Sequence, residues 1–267
     1  GERIAQAKAD LVELLSDFDP KQRERILAMH YPPYWLAGEP RLHAKHARLI
    51  RQAWGSSDPF TLVSEVDQAH GVTEVTLFAP DHDGLFARVA GAFASIGANI
   101  VGAKIFTTSE GMALDMFAVQ AREGGPLAAP KKLKRLAEIL HETLTGAHRP
   151  HIVLQGKQKR PRREAAFSVA SQVHFDNDAS NTATLIEVTA RDRPGLLHDL
   201  TWALFENGVS INSAHVTTYG EEAVDTFYVR DAFGMKLTSE EKLKRLHEAL
   251  MRALDGESDT AVAEKIA

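Results

Sequence analysis

The chain has no cysteine, which excludes a disulfide framework and any thiol chemistry. A reducing cytoplasm fits that lack and is the expected location. No apolar run approaches the roughly 18–20 residues that a bilayer-spanning helix needs, and no signal peptide opens the sequence, so no membrane role is expected. An excess of basic charge is missing as well: the formal net charge is −5, which gives no broad attraction to nucleic acid or anionic lipid. The sequence opens on Gly1 rather than Met, within a helical pattern, as a piece of a longer protein would. What is present is 267 residues, 44% hydrophobic and 25% charged, enough for about two globular domains, each with its own core.

The strongest pattern is an internal repeat. Asp81-His82-Asp83-Gly84-Leu85 recurs as Asp192-Arg193-Pro194-Gly195-Leu196, an offset of 111 residues. At that offset Thr73 falls on Thr184, Ala79 on Ala190, Gly97 on Gly208, Ile100 on Ile211 and Ala103 on Ala214. One residue of slippage in a turn changes the offset to 110, and Asp115, Phe117 and Val119 then fall on Asp225, Phe227 and Val229. A match kept through strands, loop and helix is a duplication of one small domain.

Each copy reads as strand, loop, helix, hairpin and helix. In the first, Thr73–Phe78 alternates as a strand, and Gly84 opens a helix with Leu85, Val89, Phe93 and Ile96 on one face. Ile100–Thr108 and Met112–Gln120 form a hairpin, Pro130 starts a second helix, and Ile152–Leu154 is predicted as a closing strand. The order βαββαβ implies an α+β, ferredoxin-like fold: a four-stranded antiparallel sheet with two helices on one face. The second copy has no strand candidate after Leu254. Phe167–Phe175, placed before it, is predicted to supply the edge strand by a hairpin with Thr184–Thr189, because an open edge is a liability. The domain limits that follow are a helical segment over 1–60, a first repeat over 61–155, a basic linker over 156–166, a second repeat over 167–255 and a polar tail over 256–267.

Within the leading segment, residues 2–17, Lys21–His30 and Arg41–Trp54 are predicted helices, with Tyr34-Trp35-Leu36 as an aromatic turn and Thr61–Val66 as a short strand. His43 and His46 have a spacing that a metal could use, but no further ligand lies near them in sequence, so packing is the expected role. The linker places five basic residues in Gly156–Glu164 and reads as solvated chain rather than a nucleic-acid site.

The chemistry is expected at the two loops. A strand ending in Asp-x-x-Gly-Leu at a helix start presents free backbone N–H groups at the positive end of a helix dipole. Those amides suit a carboxylate, glycine permits close approach, and Asp81 or Asp192 can face an ammonium group. Together they describe a pocket for a free α-amino acid. The plainer alternative, an N-cap aspartate and a turn glycine, stays open at this point.

Strand, Asp-x-x-Gly-Leu, helix and then Gly97-Ala98-Asn99-Ile100 resemble the ACT domain, a small amino-acid-sensing module of metabolic enzymes. Asp192-Arg193-Pro194-Gly195-Leu196-Leu197 matches that family's loop closely. The first copy has His82-Asp83 in place of Arg-Pro. The second has Ser210 where the family's Asn usually stands, with Asn212 two residues later. ACT domains commonly pair loop to strand start. The resemblance therefore implies that Asp81, His82, Asp83, Gly84 and Leu85 meet Ser210, Ile211 and Asn212. Reciprocally, Asp192, Arg193, Pro194, Gly195 and Leu196 would meet Asn99 and Ile100, within one chain or between two.

With the leading helices and the extra strand, the likeness extends over nearly the whole chain to the C-terminal region of bacterial nitrogen-regulatory enzymes. It implies L-glutamine as ligand, upstream catalytic domains, and a PII signal protein as their partner. It also implies no cofactor in this chain, with Mg²⁺ in the catalytic domains. Nucleotidyltransfer needs a Gly-Gly or Gly-Ser pair shortly before Asp-x-Asp. Gly55-Ser56 and Gly124-Gly125 are too far from the triplets at Asp81/Asp83 and Asp176/Asp178. His198-Asp199, a His-Asp pair of the kind an HD-type hydrolase needs, lies inside a repeat helix. The chain is therefore expected to be regulatory and not itself an enzyme. The rival readings are the ACT part of an amino-acid biosynthetic enzyme, a metal-dependent hydrolase using Asp81, His82, Asp83 and His198, and a purely structural dimerisation module.

Overall fold

The computed structural model of the chain describes residues 1–146 and 169–256. The strand predicted at Ile152–Leu154, the linker, Phe167 and the tail beyond residue 256 lie outside them. The leading segment forms α1 (Glu2–Leu14), α2 (Pro20–Met29), α3 (Pro32–Leu36) and α4 (Pro40–Trp54). The predicted aromatic turn is thus a short helix, with prolines at its first positions where no backbone donor is needed. The first repeat follows as β1 (Thr61–Asp67), β2 (Val72–Pro80), α5 (Leu85–Ser95), β3 (Asn99–Thr107), β4 (Met112–Gln120) and α6 (Pro130–Leu144). The second comprises β5 (Gln172–Asp176), β6 (Thr184–Arg191), α7 (Leu196–Glu206), β7 (Val209–Tyr219), β8 (Glu222–Asp231) and α8 (Glu240–Asp255). No helix among the described residues is long and apolar enough to cross a membrane.

The eight strands make one sheet in the order β1-β2-β4-β3-β7-β8-β6-β5. The two halves of that order mirror each other, so the architecture is α+β with two tandem copies of one fold. β5 pairs antiparallel with β6 from Gln172↔Thr189 to Asp176↔Leu185, as the hairpin reading of the second copy requires. The first copy departs from the βαββαβ order. Its edge beside β2 is held by β1, the place the sequence reading gave to Ile152–Leu154. A short turn through Gly71, at φ 65°, closes this hairpin locally, and a short loop loses less entropy than a long crossover. Both copies therefore take their edge strand from the chain before them. The copies meet where β3 pairs antiparallel with β7, centred on Ala103↔Val216.

Residues Gly1–Val63, Val75–Asp81 and Ile105–Met116 form one compact unit. Its core combines Leu11, Leu15, Ile26, Met29, Tyr34, Trp35 and Ile50 with Phe78, Phe106 and Leu114 from the strands. His43 and His46 are buried within it. His43 Nε2 donates to the Tyr34 carbonyl at 3.2 Å, and His46 Nδ1 meets the Tyr34 hydroxyl at 3.1 Å. They pack, as expected. Ser64–Glu74, His82–Lys104 and the described residues from Phe117 onward form the other unit, which carries the cleft described below.

Candidate functional site

Asp192 ends β6 and Gly195 precedes α7. The Asp192 N–H donates to the Glu221 carbonyl at 2.8 Å, which fixes the strand end against the β7–β8 turn. Gly195 then takes φ 81°, a left-handed conformation that side-chain-bearing residues rarely adopt. No side chain caps the helix, so backbone donors at its N-terminus face outward with the positive end of the dipole. The Leu196 N–H is not among them, since it donates to the Arg193 carbonyl at 3.1 Å.

Over this loop lies a cleft lined by Ala90 and Ala94 of α5, Ala98, Asn99 and Ile100 of the first copy, and Asp192, Gly195 and Asp225 of the second. It encloses about 380 Å³ with its open mouth. Concave clefts of this size can take small molecules. Asn99 Nδ2 donates to Asp192 Oδ2 at 3.4 Å, joining the strand start of one copy to the loop of the other. At the opposite loop, Ser210 Oγ donates to Asp83 Oδ1 at 3.4 Å. Both cross-copy meetings expected from the ACT resemblance are formed within one chain.

The remaining site residues divide. Ile100 is buried and lines the cleft, and Leu196 is buried beneath it. Asn212 stands where the β7 register skips a residue between Ile211 and Ser213, so it belongs to a bulge; its Oδ1 is buried without a partner. His82 folds its Nδ1 onto the neighbouring Asp83 carbonyl at 3.0 Å. Asp81 is exposed and accepts from Thr107 Oγ1 at 3.1 Å. Pro194 is exposed in the loop. Arg193 also borders the cleft, but its Nη2 donates to Asp199 at 2.7 Å and to the Ala253 carbonyl at 2.6 Å. That arginine holds the start of α7 to the end of α8.

The His-Asp pair of α7 is accounted for by the same packing. His198 Nδ1 lies 2.7 Å from the Ala87 carbonyl; a carbonyl only accepts, so the proton is on Nδ1. Asp199 pairs with Arg193. Among the described residues no three His, Cys, Asp or Glu side chains are grouped to hold a metal ion.

Sequence reasoning used Asp115 and Asp225 only as markers of the repeat, and the structure gives them more weight. Asp225 sits on the buried face of β8 between Ala223 and Phe227, 2% exposed, and its Oδ1 has no partner. Burial, and then the charge of Asp192, push its carboxyl up to about 7, against the opposing hydrogen bond from the Thr217 main chain. Asp115 is raised in the same direction by burial and by Asp81. Burial also raises Asp192, opposed by Asn99 and Arg193. Two carboxyls over one cleft, one of them with an open oxygen, attract a cationic group such as an ammonium. The detectable signal was an Asp at an inward position of an otherwise apolar strand, present in both copies.

The ACT domain family matches residues 184–252. The chain is 47% identical over 256 residues to the bifunctional uridylyltransferase/uridylyl-removing enzyme of Azospirillum brasilense, covering 95% of this chain and 27% of that enzyme. For the enzyme of the same description from Rhodospirillum rubrum the identity is 42% over 255 residues, covering 94% and 27%. For that from Ruegeria pomeroyi it is 39% over 260 residues, covering 97% and 28%. The chain thus spans about a quarter of the length of these relatives.

Proposed function

The chain belongs to the family of bifunctional uridylyltransferase/uridylyl-removing enzymes, as an ACT-containing regulatory region, and from that premise we propose that it senses L-glutamine. The ligand's ammonium sits between Asp192 and Asp225, and its carboxylate takes backbone N–H groups at the start of α7. Asn99 and Ile100 close the cleft from the other copy. Binding is relayed to catalytic domains elsewhere in the intact cytoplasmic enzyme. Those domains use Mg²⁺ and attach uridylyl groups to a PII signal protein, or remove them, in the control of nitrogen assimilation. The observation that carries this reading is the buried, unpartnered Oδ1 of Asp225, within reach of the Asp192 charge in a cleft walled by both copies.

The test is calorimetric titration with L-glutamine of the wild type and of Asp192→Ala, with folding followed by circular dichroism. A charge-assisted hydrogen bond contributes roughly 1.5–3 kcal/mol, so Asp192→Ala should weaken binding about tenfold to a hundredfold. Equal affinity in the two folded proteins places the ligand elsewhere. Gly195→Val is a poorer probe, because the left-handed backbone at φ 81° strains any side chain there before a ligand is considered.

A further inference from the structure

The two loops share a motif but not a neighbourhood. The cleft over Gly195 is walled by Ala90, Ala94 and Ala98. At the repeat offset of 111 the residues corresponding to these are Thr201, Phe205 and Val209, each larger than alanine. The consequence is visible at Gly84. A Cβ placed on that residue would stand 3.2 Å from Phe205 Cδ2, 3.3 Å from Cε2 and 3.4 Å from Cγ. The aromatic ring therefore lies in the space from which a ligand would approach this backbone. Trp202, 5.4 Å away between ring centroids, and the packing of α7 on α5 through His198 and Ala87 hold the ring there. The loop aspartates differ as well: Asp192 is half-buried under α5, whereas Asp83 is exposed and already accepts from Ser210.

We infer that the chain holds one ligand, at the Gly195 loop, and that the Gly84 loop is a closed copy of the site, stopped by the side chain of Phe205. This rests on the amino-acid-binding reading above and adds its stoichiometry and the residue that sets it. The close ring contact at Gly84 serves a packing role that only glycine allows, since a larger residue at position 84 meets the ring as well as a strained φ of 78°. The alanines of α5 do the converse: they keep the second loop open.

Equilibrium dialysis with radiolabelled L-glutamine counts the sites directly. The 267-residue chain is expected to take up one glutamine at saturation. Ala94→Phe, which places at the Gly195 loop the side chain found at the other, should abolish that uptake. Phe205→Ala should raise the stoichiometry toward two, with circular dichroism confirming the fold. If Phe205→Ala does not fold, Asp192→Ala decides alone: its whole uptake should weaken about tenfold to a hundredfold, with no site of wild-type affinity left. Two sites in the wild type, or one site remaining in Ala94→Phe, overturns the inference while leaving glutamine sensing intact. No uptake by any folded variant overturns both.

Discussion

Asp225 is held in the fold against its own preference. Its carboxyl is buried and raised to about 7, from 3.8 in an unfolded chain. Below pH 4 both states carry the proton and the group is neutral to stability. As pH rises from 4 to 7 the unfolded chain releases the proton and the folded chain keeps it, so stability falls; above 7 the loss is complete. Each pH unit between those two values costs about 1.4 kcal/mol, so the whole loss is on the order of a few kcal/mol. Asp225→Asn keeps the shape and removes the charge, so its urea midpoint should exceed the wild type's at pH 8 and match it at pH 4. The same variant should bind glutamine more weakly if the ammonium sits against this carboxyl. A pH-independent difference in midpoint would show that the ionisation of Asp225 is not the cause. Stability lost at a single residue for the sake of an open oxygen is what a binding site shows.

At the scale of elements, Arg193 joins α7 to α8. Its guanidinium is three-quarters covered, meets Asp199 near the positive end of one helix, and takes the Ala253 carbonyl at the negative end of the other. Arg193→Ala removes both bonds and leaves a carbonyl and a carboxylate under-satisfied. A loss of about 1.5–3 kcal/mol is expected from the denaturant midpoint; an unchanged midpoint would mean the clamp is idle. The loop motif that contains Arg193 was legible from sequence, because strand, Asp-x-x-Gly-Leu and helix form a local pattern repeated at a fixed offset. The employment of Arg193 was not, since its partners are 6 and 60 residues away. The edge of the first sheet was misread for a related reason. Thr61–Val66 and Ile152–Leu154 both carry strand composition, and which one pairs with β2 depends on closure of the turn at Gly71. Phe205 was equally hidden: helical periodicity says that it is on α7, but not that its ring faces Gly84.

At the scale of the molecule, the cleft exists where β3 and β7 join, with Ala90, Ala94 and Asn99 from one copy and Asp192 and Asp225 from the other. A ligand there binds only when both copies are folded and joined, so its binding free energy stabilises them together. Linkage gives about 2.7 kcal/mol at a ligand concentration a hundred times Kd. For a chain of this size roughly 2–4 °C accompany each kcal/mol, so saturating L-glutamine should raise the melting temperature by about 5–10 °C. Near-ultraviolet circular dichroism has tryptophan signals from both ends of the chain: Trp35 and Trp54 in the leading helices, and Trp202 in α7. If the copies melt as one, glutamine should move a single transition. If only a transition carrying the Trp202 signal moves, the ligand stabilises the unit that holds α5 and the second copy and leaves the leading helices unaffected. A sensor has to couple its ligand to structure beyond the residues it touches, and under the function proposed above a site assembled from two copies would provide that coupling at the point where they meet.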